Sequence, residues 1–172
     1  QAVQDRLGDR AAAVVELVRE LGLRSKEASL LDASRALREA ARGAVTVDHG
    51  TKGGRVREIQ ITRPEQLQAL QRAAAAQGDA RAVMPAGDNW KTWREGGLRD
   101  TRETVQEVTG GGLHDLRSAY ACERYEQLTG HAAPVAGGVI ADSQADKEAR
   151  EQIASELGHG RIDVVSAYIG GR

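Results

Sequence analysis

Apolar residues recur every three or four positions through most of the chain and alternate with polar ones in a single stretch. In AAAVVELVRELG, Val14, Val15, Val18 and Leu21 fall on one side of a helix that Gly22 stops. Ser25 is the expected cap of the next helix, with Arg24 at the junction, and a further helix is expected from Ser34 to about Ala41. The period then changes in GAVTVDHGTKGGRVREIQIT. Val45 and Val47 alternate with polar residues, and Val56, Ile59 and Ile61 follow HGTKGG, which predicts a β-hairpin with Lys52 at or near its turn. Gly50, Gly53 and Gly54 supply the positive φ such a turn requires.

Thr62 and Glu65 have capping-box spacing around Pro64 and predict a helix ending near Gly78. Short helical pieces are expected around Trp90 and Trp93 and over Thr101–Val108. GLHDLRSAYACERYEQLTG predicts a long helix from about His114 to Leu128, and HAAPVAGGVIADS reads as a loop. QADKEAREQIASELG predicts a helix stopped by Gly158, and IDVVSAYIG a last short one. The expected class is mainly α with a small antiparallel β-sheet (α+β).

Composition narrows this further. A chain of 172 residues suits one domain, and with no Phe, two Trp and three Tyr its core must be aliphatic. No apolar run is long enough to span a membrane, and the start, QAVQDRLGDR, lacks the plan of a signal peptide. Cys122 is the single cysteine, so no internal disulfide forms and a reducing cytoplasm is expected. Net charge is −1, unevenly spread: +3 over residues 1–63, −1 over 64–113 and −3 over 114–172. DNA-binding domains usually carry a positive excess, so weak intrinsic DNA affinity is expected.

Six residues carry candidate chemistry: Arg24, Lys52, His114, Arg117, His159 and Tyr168. His114 and Arg117 are three apart and share one helix face. Two arginines, a lysine and two histidines can surround a phosphate, and a tyrosine hydroxyl can attack one. Singly, each has an ordinary reading: an exposed charge for Arg24 or Arg117, a polar turn for Lys52, a helix-end cap for His159, half-buried core for Tyr168. Together they point to phosphoryl transfer on DNA without a metal ion, because the set contains no carboxylate cluster; Glu27 is better read as a brace for Arg24. His49 and His131 read as loop residues and Cys122 as a packed thiol. Trp90 and Trp93 read as core rather than base-stacking platforms. Tyr120 and Tyr125 are rival nucleophiles on the HDLR helix, disfavoured because that helix must present His114 and Arg117.

GLRSKEASLL, the hairpin lysine, HDLR, LGHGR and the terminal tyrosine, taken in this order, resemble the catalytic domain of the tyrosine recombinases, the phage and mobile-element integrases. The resemblance runs from about residue 10 to 170. It implies that Tyr168, nine residues after His159, attacks the scissile phosphate to give a 3′-phosphotyrosyl link and a free 5′ hydroxyl. It also implies that Arg24 and Arg117 grip the non-bridging oxygens, that Lys52 protonates the leaving 5′ oxygen, and that His114 and His159 donate to the phosphate, with His114 a further acceptor for the tyrosine proton. The implied partners are double-stranded DNA, other protomers in a tetramer on paired sites, and accessory proteins; no cofactor, metal or membrane is implied. The implied setting is a prokaryotic cytoplasm, nucleoid-associated when bound to DNA. Residues 1–172 are read as the catalytic domain of a longer integrase, without the family's N-terminal DNA-clamping domain and with a shortened tail after Tyr168. The spacing from Arg117 to His159, 42 residues, exceeds the family's usual one, and TGHAAPVAGGVIADS is expected to hold the excess as a surface loop, a DNA contact or a protomer contact. The alternative readings are a DNA-binding relic without catalysis, a type IB topoisomerase-like strand transferase, and a helical interaction protein. The DNA target, the balance of integration and excision, and whether Tyr168 acts in cis or in trans stay open at this point.

Overall fold

The computed structural model describes residues 1–171. Four helices, α1 (Ala2–Leu7), α2 (Asp9–Leu21), α3 (Ser25–Leu30) and α4 (Ala33–Ala40), lead into a hairpin of β1 (Ala44–Val47) and β2 (Arg57–Gln60). They are followed by α5 (Pro64–Gln77), α6 (Trp90–Glu95), α7 (Gly97–Thr109), α8 (Leu113–Thr129), α9 (Ser143–Leu157) and α10 (Ser166–Ile169). Short 3-10 turns occupy Lys52–Gly54, Pro134–Ala136 and Ile162–Val165. The architecture is the expected one, mostly helical with a two-stranded antiparallel sheet. Helix α1 has no counterpart in the sequence reading, because Val3 is its only buried residue and leaves no period to read.

Helix α2 is the axis of the first apolar cluster. Val14, Leu17, Val18 and Leu21 are all fully buried. Their i, i+3, i+4, i+7 spacing makes one stripe, completed by Leu17 rather than Val15. Helix α5 packs on it through Leu70 and through Ala69 and Ala73, whose small side chains allow close approach. Trp93 belongs to the same cluster, and its indole N–H donates to Ser29 Oγ at 2.9 Å. The second cluster joins Tyr120, Ala121 and Tyr125 of α8, Ile153 and Leu157 of α9, and Val165, Tyr168 and Ile169 around α10. Helix α8 spans both clusters: Leu113 and Leu116 pack on the first, Tyr120 and Tyr125 lie in the second. Among the described residues, no helix is long and apolar enough to cross a membrane.

Three local expectations are corrected. Ser25 is the first residue of α3 and not its cap; the N-cap is Arg24, whose backbone N–H donates to Glu27 Oε1 at 2.8 Å. Thr62 does not cap α5; Arg63 does, and Gln66 Oε1 accepts from the backbone N–H groups of Thr62 and Arg63 at 2.7 and 3.1 Å. The apolar set of the hairpin also differs, because Arg57 and not Val56 joins Ile59 on the inward face. The register pairs Val45 with Ile59 and Val47 with Arg57, so Arg57 and Ile59 face inward, while Val56 lies outside the strand and is 64% exposed.

Gly22 ends α2 in the left-handed region at φ 68° and lies flat against the Tyr120 ring, which an added Cβ would strike. Left-handed strain and overpacking together predict that Gly22→Ala lowers stability by about 2–5 kcal/mol in urea-unfolding measurements.

Candidate active site

The residues of interest lie at ends and junctions of elements. Arg24 sits where α2 gives way to α3, half-buried, in an extended conformation. Lys52 opens the hairpin turn and is exposed, with Gly53 and Gly54 behind it at φ 73° and 70°. His114 and Arg117 stand in the first turns of α8. His159 follows the left-handed Gly158 that closes α9, and its own N–H donates to Ala154 O at 2.8 Å. That closure fixes the direction in which the chain leaves the helix. Tyr168 is carried on α10, where Val165, Tyr168 and Ile169 form one inward face.

The fold gathers these ends around one guanidinium. Arg117 is 7% exposed. Its Nε donates to Gly22 O at 2.9 Å, its Nη2 to Leu157 O at 2.9 Å, and its Nη1 to the Tyr168 hydroxyl at 2.8 Å. Two of these acceptors are carbonyls at the C-terminal ends of α2 and α9, where the helix dipoles are negative. No carboxylate lies within ion-pair distance of Arg117 among the described residues. Burial lowers its proton affinity to about 10, which leaves it charged at neutral pH.

Tyr168 is held on three sides. Its hydroxyl accepts from Arg117 and lies 3.4 Å from His159 Nε2, and its ring stacks on His114 with centroids 4.7 Å apart and planes inclined by 26°. The Tyr168 hydroxyl thus meets Arg117 and His159 of its own chain. His159 is pushed down to about 4, first by burial and then by the charges of Arg24, Arg117, Arg57 and Lys52, so its imidazole is neutral at pH 7. Lys52 is therefore close enough to be felt at the site, although it makes no hydrogen bond there.

A buried clasp holds α10. Arg150 pairs with Asp146 on α9 at 3.0 Å and extends Nη1 to Ser166 Oγ at 3.1 Å and Nη2 to Gly170 O at 2.7 Å. Asp146 also accepts from the Tyr125 hydroxyl at 2.6 Å. Beyond α10, Gly170 and Gly171 turn against Val135 and Pro134 of the loop between α8 and α9. The 3-10 turn of the long loop thus packs against the tyrosine helix, while most of the loop lies on the surface, Val139 among its exposed residues.

Sequence reasoning passed over Arg57. Its guanidinium pairs with both oxygens of Glu27, Nη2 at 2.8 Å to Oε1 and Nη1 to Oε2, and its Nε donates to Glu156 O at 2.7 Å. Glu27 has no exposed surface in its side chain, and Arg24 reaches it at 3.4 Å. Burial raises the proton affinity of Glu27, but the bonds from Arg57 outweigh that and keep it below its ordinary value. In the sequence Arg57 shares the odd-numbered phase of Ile59 and Ile61, but the buried carboxylate it answers, Glu27, lies thirty residues earlier. Tyr120 and Tyr125 are both buried and bonded to carboxylates, Glu156 and Asp146, with the proton of Tyr120 held more tightly through burial and the Glu156 charge. Cys122 is half-buried, with its thiol pushed up by burial and then Glu123.

Arg24, Arg117, Arg57 and Lys52 all act on His159, and the Glu27 carboxylate pairs with Arg57 and Arg24. A family profile described as Integrase matches residues 2–123, well over half of the sequence. The chain belongs to the integrase family, the tyrosine recombinases whose boxes its sequence resembles. Among solved structures, it is similar to the crystal structure of XerA recombinase, at 18% identity and a TM-score of 0.58, over 99% of this chain and 56% of that one. That likeness concerns the fold, and the chain spans just over half the length of that protein. No curated protein matches the sequence.

The depressed proton affinity of His159 has a consequence for stability. Between pH 6.5 and about 4 the unfolded chain takes up a proton that the folded imidazole refuses, so stability falls as pH falls through this window. Glu27 adds a further decline below its ordinary value of 4.5, where its folded-state advantage is lost. Melting temperatures measured across this range should decline, and His159→Gln should flatten the upper part while leaving the lower part.

Proposed function

We propose that this chain is the catalytic domain of a site-specific DNA recombinase that cuts and rejoins strands through a phosphotyrosyl intermediate. The observation that carries the proposal is the buried, carboxylate-free guanidinium of Arg117 bonded to the Tyr168 hydroxyl. An uncompensated buried cation favours an anion, and an adjacent hydroxyl favours attack on it. In the proposed cleavage, Tyr168 Oη forms a bond to phosphorus and the bond from phosphorus to the 5′ oxygen breaks. Arg117 and Arg24 hold the non-bridging oxygens through permanently charged forks. Lys52, on its hairpin turn, gives a proton to the leaving 5′ oxygen.

The tyrosine proton goes to His159. Its imidazole is neutral and faces Oη, whereas His114 offers Tyr168 its ring face. The charge of an arriving phosphate raises the basicity of that imidazole. In rejoining, a 5′ hydroxyl attacks the phosphotyrosyl phosphorus and the same protons travel back. The remaining family roles fit this scheme: double-stranded DNA as substrate, other protomers on paired sites, and a prokaryotic cytoplasmic setting.

The reading is tested with a pool of nicked suicide duplexes of randomised sequence, from which covalent protein–DNA adducts are recovered. Wild type should yield adducts whose DNA-linked peptide contains Tyr168, and Tyr168→Phe should yield none; adducts from Tyr168→Phe would move the nucleophile elsewhere. Lys52→Ala should slow adduct formation by about 10²–10⁴-fold, as loss of a general acid does. A substrate with a 5′-thiol leaving group should restore the rate, since a thiolate leaves without a proton.

A further inference from the structure

Arg57 stands outside the six residues of the proposed reaction, yet it touches the supports of three of them. It begins β2, five residues after Lys52, so it is tied to the hairpin that carries the lysine. Both Glu27 oxygens accept from it, and Glu27 in turn accepts from the backbone N–H and the guanidinium of Arg24. Its third bond, Nε to Glu156 O, reaches the last turn of α9, three residues before His159. The turn leaves no slack: a Cβ on Gly158 would lie 3.0 Å from Arg57 Nη1 and 3.1 Å from Arg24 Nη1. One planar fork therefore spans three elements that sequence order keeps far apart.

We infer that Arg57 is the positioning residue of this site, locking the hairpin of Lys52 to the helix that begins at Arg24 and the helix that ends at His159. This inference deepens the recombinase reading and rests on it. Lysine cannot take its place, because an ammonium is a single point where a guanidinium makes three bonds in a fixed plane. The charge of Arg57 has a second effect, on His159. The groups facing that imidazole are Arg24 from the cap of α3, Lys52 from the hairpin, Arg57 from β2, Arg117 from α8 and the Tyr168 hydroxyl from α10. The Arg55 guanidinium lies beside the neighbouring Gly160. Arg57 is thus one of several cations that keep His159 neutral, while it alone supplies the three-way lock.

Two variants separate lock from charge. Arg57→Lys keeps the cation and loses the fork; Arg57→Gln loses both. In full-length protein, Arg57→Lys should form adducts with the recovered duplex about 10²-fold more slowly, as a small misplacement of reacting groups does. Its affinity for that duplex should stay within about threefold, because phosphate contacts dominate binding. The His159 midpoint, followed by NMR of the labelled imidazole without DNA, should stay near 4 in Arg57→Lys and rise in Arg57→Gln. Arg57→Gln alone strands the Glu27 carboxylate, so the paired Glu27→Gln, Arg57→Gln protein stands in for it if circular dichroism shows unfolding. A folded Arg57→Lys protein with the wild-type rate overturns the inference, as does an unmoved His159 midpoint in the folded Gln protein. Equal losses of rate, affinity and melting temperature would mark a residue of the general scaffold and also overturn it. If wild type traps no DNA, the recombinase reading falls, and the imidazole titration still decides whether Arg57 acts on His159.

Discussion

A buried positive charge must be answered by something, and the way Arg117 is answered organises this molecule. It is met by two helix-end carbonyls, Gly22 and Leu157, and by one hydroxyl, Tyr168. Dipoles at helix termini compensate only part of a full charge. The remainder sits on a buried side chain, where electrostatic interactions are less screened than in water. The same three bonds fix geometry: they pin the end of α2, the end of α9 and the tyrosine of α10 to the first turns of α8. The docking of four helices is thus a consequence of one side chain.

Around this centre the charges are arranged with economy. Glu27 neutralises one guanidinium's worth of charge and is itself fully enclosed. A carboxylate bonded directly to Arg117 would have cancelled the field there. Placed one layer back, behind Arg57, it organises the basic residues and still leaves the front of the site positive. The acidic balance of residues 114–172 does not contradict this, since Glu156 and Asp146 are spent on internal partners, Arg124 with Tyr120 and Arg150 with Tyr125.

Much of the fold could be read because its signals are local. The stripe of α2, the stop at Gly22, the hairpin glycines and the closure of α9 at Gly158 each reside in a few adjacent residues. The gathering of Arg24, His114, Arg117, His159 and Tyr168 was legible as an ordered set. Arg57 was not, because its meaning lies in a cross-strand register with Val47 and in a carboxylate thirty residues earlier. Val56, grouped with Ile59 and Ile61 in the hairpin reading, lies outside the strand, and Arg57 takes the inward place. The long spacing from Arg117 to His159 proved harmless for a physical reason: one residue is set by the start of α8 and the other by the terminal turn of α9. Neither depends on the length of the loop between them.

The two apolar clusters meet along a boundary crossed by α8, and the other ties across it are largely polar: Arg117 to Gly22, and Arg57 to Glu156. Bonds of this kind lend direction and little cohesion, whereas each cluster has its own aliphatic interior. Arg24, between Leu23 and Ala28, is accordingly seated by the first cluster, whereas Tyr168, between Val165 and Ile169, is seated by the second. The two halves of the gathered set are thus furnished by separate interiors, and they face one another only while those interiors stay docked.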